Sequence, residues 1–306
     1  MSSVELSVRT RCNICAADDF TVVYAAGAAQ VNQIVRCNRC GLMYANPRKE
    51  ADHVEIESWP DDPGFDVETE RPQRFEKERL QVSDLNGSRA FLNRLHPSRG
   101  TLVEVGSSLG FLLASFRNDG WEVMGVEPDR NAARYAAHRL GIKTINSTLE
   151  LAGLIDQSVD AVVMLHVIEH VPDPVGTLRE IFRILKRGGH VVLETPRYDT
   201  LMFRVLGRRE RSLSCDGHIF FFTTETLHKA YSAAGFELVR LDYTGRSLTL
   251  DRMVYNVGVI SKSQTLQRLA GSLSRRAQLN KVSMTINLRD IQRVCLVKPL
   301  SSTARQ

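Results

Sequence analysis

Short apolar runs alternate with stretches of helical periodicity over the C-terminal two-thirds of the chain. Five runs have the length and apolar character of buried strands: Thr101–Val105, Trp121–Val126, Ile142–Ile145, Val159–Leu165 and His190–Leu193. Stretches with helical spacing separate them, among them Phe111–Phe116 and Asn131–Leu140. A third begins at Asp173 and Pro174, residue types that favour the N-cap and the first turn of a helix. This alternation predicts an α/β fold with a doubly wound, mostly parallel sheet covered by helices on both faces.

The N-terminal third of the chain has a different pattern. Residues 1–47 hold short β-type runs between cysteines, and residues 48–95 begin with an acidic, proline-containing stretch and become helical from Arg71. We therefore expect a small module at 1–47, an acidic loop and helical linker or lid at 48–95, and the α/β domain at 96–306. A basic helical insertion is expected in that domain near residues 261–281.

Four of the six cysteines form two Cys-x-x-Cys pairs, Cys12 with Cys15 and Cys37 with Cys40. Zn²⁺ prefers four tetrahedral ligands, and two such knuckles supply four thiolates from tight turns. Gly41 permits the second of these turns. The pattern predicts a zinc ribbon whose Zn²⁺ is structural, because a shell of four cysteines leaves no position for water or substrate. Four free thiols, or a redox Cys-x-x-Cys, are the less favoured alternatives.

Composition and charge change this picture little. Hydrophobic residues make up 43% of the 306 residues and charged residues 25%, which excludes collagen-like, low-complexity and wholly disordered chains. No apolar run approaches the roughly 20 residues that cross a bilayer, and the N-terminus lacks a signal-peptide core. We therefore expect a cytoplasmic protein. The net charge of +5 suits an anionic partner without requiring one.

Two turns at the expected carboxyl edge of the sheet carry candidate binding residues, because ligands of such sheets bind beyond the carboxyl ends of the strands. After the first strand, the small residues Gly106, Ser108 and Gly110 let a ligand approach the backbone next to a helix N-terminus. After the second strand, Glu127 can accept hydrogen bonds from both hydroxyls of a ribose. Nicotinamide dehydrogenases share this acid, but their G-x-G-x-x-G fingerprint is absent here, and Glu104 stands two residues before the first glycine.

Four motifs follow one another between about residues 95 and 245. They are Glu104–Gly110, Gly125–Pro128, Leu165–Pro174 and Leu185–Pro196. In this order they resemble class I S-adenosylmethionine-dependent methyltransferases. The cysteine module, followed by Gly41–Pro47 and later by His218–Leu227, resembles a bacterial subgroup whose members often methylate sugars or glycans. The resemblance implies a Rossmann-like sheet of seven strands, which Asn287–Val297 would complete.

The resemblance also implies that S-adenosylmethionine binds at nine positions: Glu104, Gly106, Ser108, Gly110, Glu127, Pro128, Thr148, Leu149 and His166. Glu104 would steer the amino group of the cofactor, Glu127 would hold its ribose, and His166 would lie beside its methionine moiety. Thr148 and Leu149 would border the adenine.

Structural alternatives to these roles stay open. Glu104 could cap the following helix, Glu127 could be an N-terminal acid of the next helix, and His166 could be a core histidine. Ser108 stands where the family usually has glycine, and serine is expected to fit if its backbone angles are ordinary.

A base is the remaining requirement of the implied chemistry. The methyl group of the cofactor is already activated, so the protein mainly aligns and desolvates the reactants. A hydroxyl or a weak carbon acid also needs a base, and histidine suits this role near neutral pH. His170 and His218 are the candidates. Each has a structural alternative: His170 could cap the helix entry at Asp173, and His218 could anchor its loop.

The expected partner is a small-molecule or glycan acceptor, with or without a phosphate. Our hypothesis is methyl transfer to a sugar hydroxyl or sugar carbon in nucleotide-sugar or surface-polysaccharide biosynthesis. The alternatives are an RNA methyltransferase with a zinc module and a non-catalytic cofactor-binding scaffold. RNA is disfavoured because an acidic stretch follows the cysteine module, which itself lacks dense Lys and Arg. The basic stripe near 261–281 predicts a packed helix or peripheral contact with an anionic membrane.

Overall fold

The computed structural model describes residues 7–27, 33–49, 66–207, 213, 217–249, 254, 257–258, 261, 263–274 and 283–300. The strands within these ranges are β1 (Ser7–Val8), β2 (Phe20–Tyr24), β3 (Ile34–Cys37), β4 (Met43–Ala45), β5 (Arg48–Lys49), β6 (Thr101–Val105), β7 (Glu122–Val126), β8 (Thr144–Ile145), β9 (Val159–Leu165), β10 (Leu185–Pro196), β11 (Phe220–Phe221), β12 (Glu237–Thr249) and β13 (Ser283–Val297). The helices are α1 (Val67–Glu70), α2 (Pro72–Gln81), α3 (Asn86–Leu95), α4 (Phe111–Asn118), α5 (Arg130–Leu140), α6 (Pro174–Ile184), α7 (Leu201–Leu206), α8 (Thr224–Ala233) and α9 (Gln264–Ser274).

The main sheet has seven strands in the order β12-β13-β10-β9-β6-β7-β8. The pairs β6–β7, β6–β9, β7–β8 and β9–β10 are parallel, whereas β13 runs antiparallel to both of its neighbours. The expected α/β architecture with a mostly parallel, seven-stranded sheet is therefore confirmed, and β13 contains the last expected strand.

Alternation along the central strands sends their side chains into two cores. In β9, Val162 and Met164 face one core, which α6 and α8 cover through residues such as Leu178 and Leu227. Ala161 and Val163 face the other core, which α3, α4 and α5 cover. Helices thus lie on both faces, and the carboxyl ends of the parallel strands share one edge of the sheet.

Two expected boundaries differ in the structure. A glycine pair such as Gly188 and Gly189 is typical of the end of a helix, but α6 ends at Ile184 and both glycines lie within β10. Gly188 has φ +74°, and a Cβ on Gly189 would lie 2.9 Å from the carbonyl oxygen of Lys186. The glycine pair therefore permits a tight irregularity of the backbone at the start of β10, where the register with β9 shifts. The third expected strand is also shorter, limited to Thr144–Ile145.

A second sheet joins the cysteine module to the α/β domain. Its order is β11-β4-β3-β2, so three strands come from the module and the fourth from residues 220–221. Phe220 pairs with Tyr44 and Phe221 with Met43. Tyr44 and Phe220 are buried in the same core as α6 and α8. The boundaries expected at residues 47 and 95 stay predictions.

Within the range expected to be a linker, the described residues from Val67 onward form α1, α2, a 3₁₀ turn at Val82–Leu85, and α3, so the helical part begins before Arg71. Its acidic loop, at residues 50–65, lies outside the described residues. The expected basic insertion is represented by α9, whereas residues 275–281 are again outside the described ranges. In the described part of the chain, no helix combines the length and the apolar character that crossing a membrane requires.

Candidate active site

The loop after β6 needs glycine at two of its positions. Gly106 and Gly110 have φ values of +71° and +81°. A Cβ on Gly106 would lie 2.4 Å from a methyl carbon of Val167, and a Cβ on Gly110 would lie 3.0 Å from the Cβ of Ala136. The N–H of Gly106 donates to the carbonyl of Val126 over 2.8 Å, which closes the loop against β7. The turn thus brings bare backbone to the carboxyl edge of the sheet, beside the N-terminus of α4.

Ser108 adopts a left-handed backbone conformation, with φ +43°. The condition under which serine was expected to fit, ordinary backbone angles, is therefore not met, because the loop keeps the geometry that glycine usually provides. Two hydrogen bonds hold the residue there. Its N–H donates to Oε2 of Glu127 over 2.7 Å, and its hydroxyl donates to Oε2 of Glu78 in α2 over 2.6 Å.

Glu104 and Glu127 are buried acids on either side of this loop. Burial, and then the charge of Glu127, raise the pKa of Glu104 well above its ordinary value. Its Oε2 has no hydrogen-bond partner within the described residues, so the carboxyl can accept a cationic donor such as an ammonium group. Burial also raises the pKa of Glu127 to about 7, although the N–H groups of Asp129 and Ser108 oppose the shift by donating to this carboxylate. A ligand with a cationic or hydroxyl group would stabilise the charged form of both acids.

The loop after β8 is tied to the loop after β7. Asn146, which the sequence reasoning did not single out, donates through Nδ2 to the carbonyls of Glu127 and Pro128 over 2.9 and 2.8 Å. Thr148 precedes a 3₁₀ turn at Leu149–Leu151, and Leu149 is buried. The expected adenine border therefore lies at the same edge of the sheet as Glu127, the residue expected to hold the ribose.

His166 lies directly after β9 and bridges two carboxylates. Its Nδ1 is 3.5 Å from Oε1 of Glu169, and its Nε2 is 3.1 Å from Oε1 of Glu194. Desolvation lowers the pKa of His166, but the two carboxylates outweigh it and raise the pKa to about 9. The side chain is 43% exposed, which argues against a core histidine. The imidazolium lies at the carboxyl edge, and the carboxylates of Glu169 and Glu194 neutralise its charge. Glu194 also accepts a hydrogen bond from Nε of Arg293 over 2.5 Å.

Glu169 is a fully buried carboxylate that sequence reasoning missed, although it stands inside the motif that contains His166 and His170. Burial opposes its ionisation, yet the neighbouring histidines lower its pKa to about 2. Its Oε2 accepts from the hydroxyl of Thr195 in β10 over 2.9 Å. Its backbone carbonyl accepts from the N–H groups of Ile219 and Phe220 over 2.9 and 3.1 Å. One residue therefore connects the loop after β9, the end of β10 and the start of β11.

The two histidines proposed as bases meet at this point. The rings of His170 and His218 are 4.5 Å apart between centroids and inclined at 69°. Nδ1 of His170 donates to the carbonyl of Gly217 over 2.8 Å, and Nδ1 of His218 lies 3.3 Å from the hydroxyl of Tyr198. His170 does not cap α6, because the side chain of Asp173 performs that role by accepting from the N–H of Gly176. One atom each of Glu169, His170 and His218 lie within 4.8 Å of one another, so the three side chains form one compact cluster.

The four cysteine sulfurs of the N-terminal module also converge. All four lie within 4.8 Å of one another; Cys12 and Cys40 are 3.3 Å apart, and Cys15 and Cys37 are 3.5 Å apart. A tetrahedral Zn²⁺ with Zn–S bonds of about 2.3 Å separates its sulfurs by roughly 3.8 Å, so the arrangement fits such an ion.

The turns around these sulfurs are built alike. Gly41 has φ +86° and donates to the carbonyl of Cys37 over 3.0 Å. Ala16 has φ +56° and donates to the carbonyl of Cys12 over 2.8 Å, so it is the counterpart of Gly41 in the first knuckle. Because both knuckles have this geometry, the four sulfurs are already arranged as the ligands of a metal ion would be.

Comparison with known proteins identifies the class. A family model described as a methyltransferase domain matches residues 74–241, more than half of the chain. The chain therefore belongs to the methyltransferase-domain family. It is 36% identical over 98 residues to an uncharacterized methyltransferase of Mycobacterium sp. (strain KMS), covering 32% of this chain and 39% of that protein. It is 30% identical over 141 residues to the ubiquinone biosynthesis O-methyltransferase of Serratia proteamaculans (strain 568), covering 40% and 58%.

The chain spans about half the length of the curated relatives it matches. Among solved structures, a SAM-dependent methyltransferase from Archaeoglobus fulgidus aligns with TM-score 0.49 and 18% identity over 74% of this chain and 100% of that one. A possible histamine N-methyltransferase from Thermotoga maritima aligns with TM-score 0.46 and 21% identity over 76% and 98%. These likenesses concern the fold alone.

We expect His166→Asn to lower the free energy of unfolding by about 1–2 kcal/mol near pH 6, because Glu169 and Glu194 lose the cation that they share, although Arg293 still pairs with Glu194. The figure is at the low end for a buried pair because the imidazole is 43% exposed. The pKa of His166 is raised from 6.5 to about 9 in the folded state. Its stabilisation is therefore complete below pH 6.5 and is lost as the pH rises through about 9.

Urea unfolding of wild type and variant at about pH 6 and about pH 10 measures this difference. The gap between the two proteins should shrink at the higher pH. His138→Asn, at an exposed position of α5, is the matched control. A gap of equal size at both pH values would contradict the ion-pair assignment.

Proposed function

We propose that the protein transfers a methyl group from S-adenosylmethionine to a small-molecule or glycan acceptor, a sugar hydroxyl or sugar carbon in nucleotide-sugar or surface-polysaccharide biosynthesis. The observation that carries the cofactor half of this proposal is the pair of buried acids, Glu104 and Glu127, beside the glycine loop at the carboxyl edge of the sheet. The family of the chain supports the same reading.

The residues at this edge fit such a cofactor. The unpartnered Oε2 of Glu104 suits an ammonium group, and its raised pKa means that binding a cation there displaces a proton. Glu127 suits a ribose diol, because each of its oxygens accepts a backbone N–H that holds the carboxylate in place. Gly106 and Gly110 give the loop the backbone conformation that would border the methionine half. When bound, the sulfonium supplies an activated methyl group.

The acceptor half of the proposal rests on His170 and His218. Two imidazoles in contact, one held by the carbonyl of Gly217 and the other by the hydroxyl of Tyr198, can take a proton from an acceptor hydroxyl. The buried carboxylate of Glu169 would stabilise the resulting positive charge. Likeness to a ubiquinone biosynthesis O-methyltransferase favours oxygen over carbon as the accepting atom.

Titration calorimetry tests the cofactor. We expect S-adenosylmethionine to bind the zinc-replete protein, and Glu127→Ala to weaken binding by about tenfold to a hundredfold through the loss of charge-assisted hydrogen bonds. Glu122→Ala is the control, because Glu122 is exposed at the opposite end of β7, where its side chain accepts from the hydroxyl of Thr101. A well-folded wild type that binds no cofactor would refute the methyltransferase proposal and leave a zinc-stabilised scaffold.

A screen of nucleotide sugars and glycan fragments for methyl transfer tests the acceptor. For a substrate found in this way, we expect His218→Asn or His170→Asn to lower kcat by about 10²- to 10⁴-fold while the KM for S-adenosylmethionine changes little. His228→Asn, on the exposed side of α8, is the control. Full activity in both active-site variants would exclude these histidines as the base. Salt-dependent RNA binding with RNA methylation would instead favour the rival acceptor.

We also propose that Cys12, Cys15, Cys37 and Cys40 hold one structural Zn²⁺ ion. We expect Cys40→Ser to lose zinc by elemental analysis and to lower Tm by about 10 °C or more, because the module and β11 share a sheet. Cys295→Ala, which removes a buried core thiol, should keep its zinc. A wild-type protein that contains no zinc and does not lose stability on chelation would contradict the assignment.

Location and further partners are proposals of the same kind. We place the protein in the cytoplasm, where nucleotide-linked sugars are made available to such enzymes. Peripheral contact with an anionic membrane would involve α9, where Arg268 and Leu269 are exposed.

A further inference from the structure

Helices α1 and α2 lie across the elements that carry the cofactor residues. Val67 of α1 is buried against Leu109, Ala132 and Tyr135, and Phe75 of α2 packs against the same cluster. Leu109 belongs to the glycine loop, whereas the other two belong to α5, which begins just after the ribose acid. The ring of Phe75 is 5.7 Å from that of Tyr135, edge to face. The two helices therefore cover the cofactor loop from its solvent side.

Polar contacts fasten this cover at two points. Oε2 of Glu78 accepts from the hydroxyl of Ser108 over 2.6 Å, while its Oε1 accepts from Nε of Arg74 over 3.2 Å. At the other end, the hydroxyl of Tyr135 donates to Glu68 over 2.8 Å. The Glu78 side chain is only 19% exposed, so its short, charge-assisted bond to Ser108 is largely shielded from water.

Ser108 connects the cover to the acid that suits the ribose. Its side chain bonds Glu78, and its backbone N–H donates to Oε2 of Glu127 over 2.7 Å. It does this at φ +43°, a conformation that L residues rarely adopt and that persists where surrounding bonds hold it. A glycine would fit the turn without strain but could not reach α2. Compared with glycine, the serine is less favourable for this backbone conformation but gains a hydrogen bond to Glu78 of α2.

We propose that Glu78 is a positioning residue of the cofactor site. Through the hydroxyl of Ser108 it ties α2 to the glycine loop, holds the N–H that orients Glu127, and slows the release of S-adenosylmethionine and S-adenosylhomocysteine. It acts through Ser108 rather than by touching the cofactor. This inference rests on the proposed function, since it assigns a role to residues around the same cofactor.

The test measures dissociation of S-adenosylhomocysteine from the full-length, zinc-loaded protein by surface plasmon resonance. We expect Glu78→Ala and Ser108→Gly each to raise the off-rate about tenfold, the effect of losing one charge-assisted hydrogen bond. The double variant should add less than about twofold, because both changes break the same contact. Glu78→Gln, which keeps an acceptor for the serine hydroxyl, should stay within about threefold of wild type.

Two further readouts separate positioning from a general structural role. Ser108→Gly should keep its Tm within about 2 °C of wild type, because glycine suits the left-handed turn. Glu78→Ala should raise the KM for S-adenosylmethionine without changing the KM for the acceptor. Glu76→Ala is the matched control, because Glu76 pairs with Arg79 on the exposed side of the same helix. Its off-rate should equal that of wild type.

The outcomes are distinct. Unchanged off-rates in Glu78→Ala and Ser108→Gly, or additive effects in the double variant, would overturn the positioning role while leaving the proposed function intact. A folded wild type that binds neither S-adenosylmethionine nor S-adenosylhomocysteine would overturn the proposed function itself, and this inference with it. A coupled rise in off-rate that Glu78→Gln rescues would support the tie between α2 and the loop.

Discussion

The carboxylate of Glu169 is the interaction on which the geometry of the candidate site depends. A fully buried negative charge is costly unless cations and donors surround it. Here His166 lies 3.5 Å away and the hydroxyl of Thr195 donates over 2.9 Å, which together hold the ends of β9 and β10 in one arrangement. The backbone carbonyl of the same residue orders the chain at Ile219. The carboxylate thus joins the loop after β9 to β10, and the backbone of the same residue joins that loop to the chain at Ile219.

The cysteine module supports this edge from outside. Phe220 extends the sheet of the module by pairing with Tyr44, and it stands two residues after His218. Lys229 of α8 donates to the carbonyl of Cys40 over 3.0 Å, so the second knuckle is also bonded to the α/β domain. The Zn²⁺ site proposed for these cysteines would have a filled coordination shell and so do no chemistry of its own. The cysteine module instead positions β11, the strand that precedes α8, and with it one of the two candidate bases.

Around the glycine loop, the three acids Glu78, Glu104 and Glu127 lie close enough for their charges to interact. Glu104 and Glu127 have raised pKa values because they are buried and because they repel each other or neighbouring acids, Glu78 among them for Glu127. A cationic ligand with hydroxyl groups would reduce the repulsion between the acids and donate a hydrogen bond to the unpartnered Oε2 of Glu104. The positively charged, ribose-bearing cofactor proposed for this site would suit that arrangement, and Ser108 joins Glu127 to α2.

Local sequence determined much of this protein. Strands such as Thr101–Val105 and Val159–Leu165 have the bounds that their apolar runs predicted, because a short buried strand consists of apolar residues that are adjacent in the sequence. The paired cysteines and the glycine loop were equally readable, since tight turns and metal knuckles span only a few positions. The tertiary structure alone decided the rest. Glu78 meets Ser108 across 30 residues and His170 meets Gly217 across 47, and a contact of that range is set by how the sheet brings distant segments together, which no local pattern records.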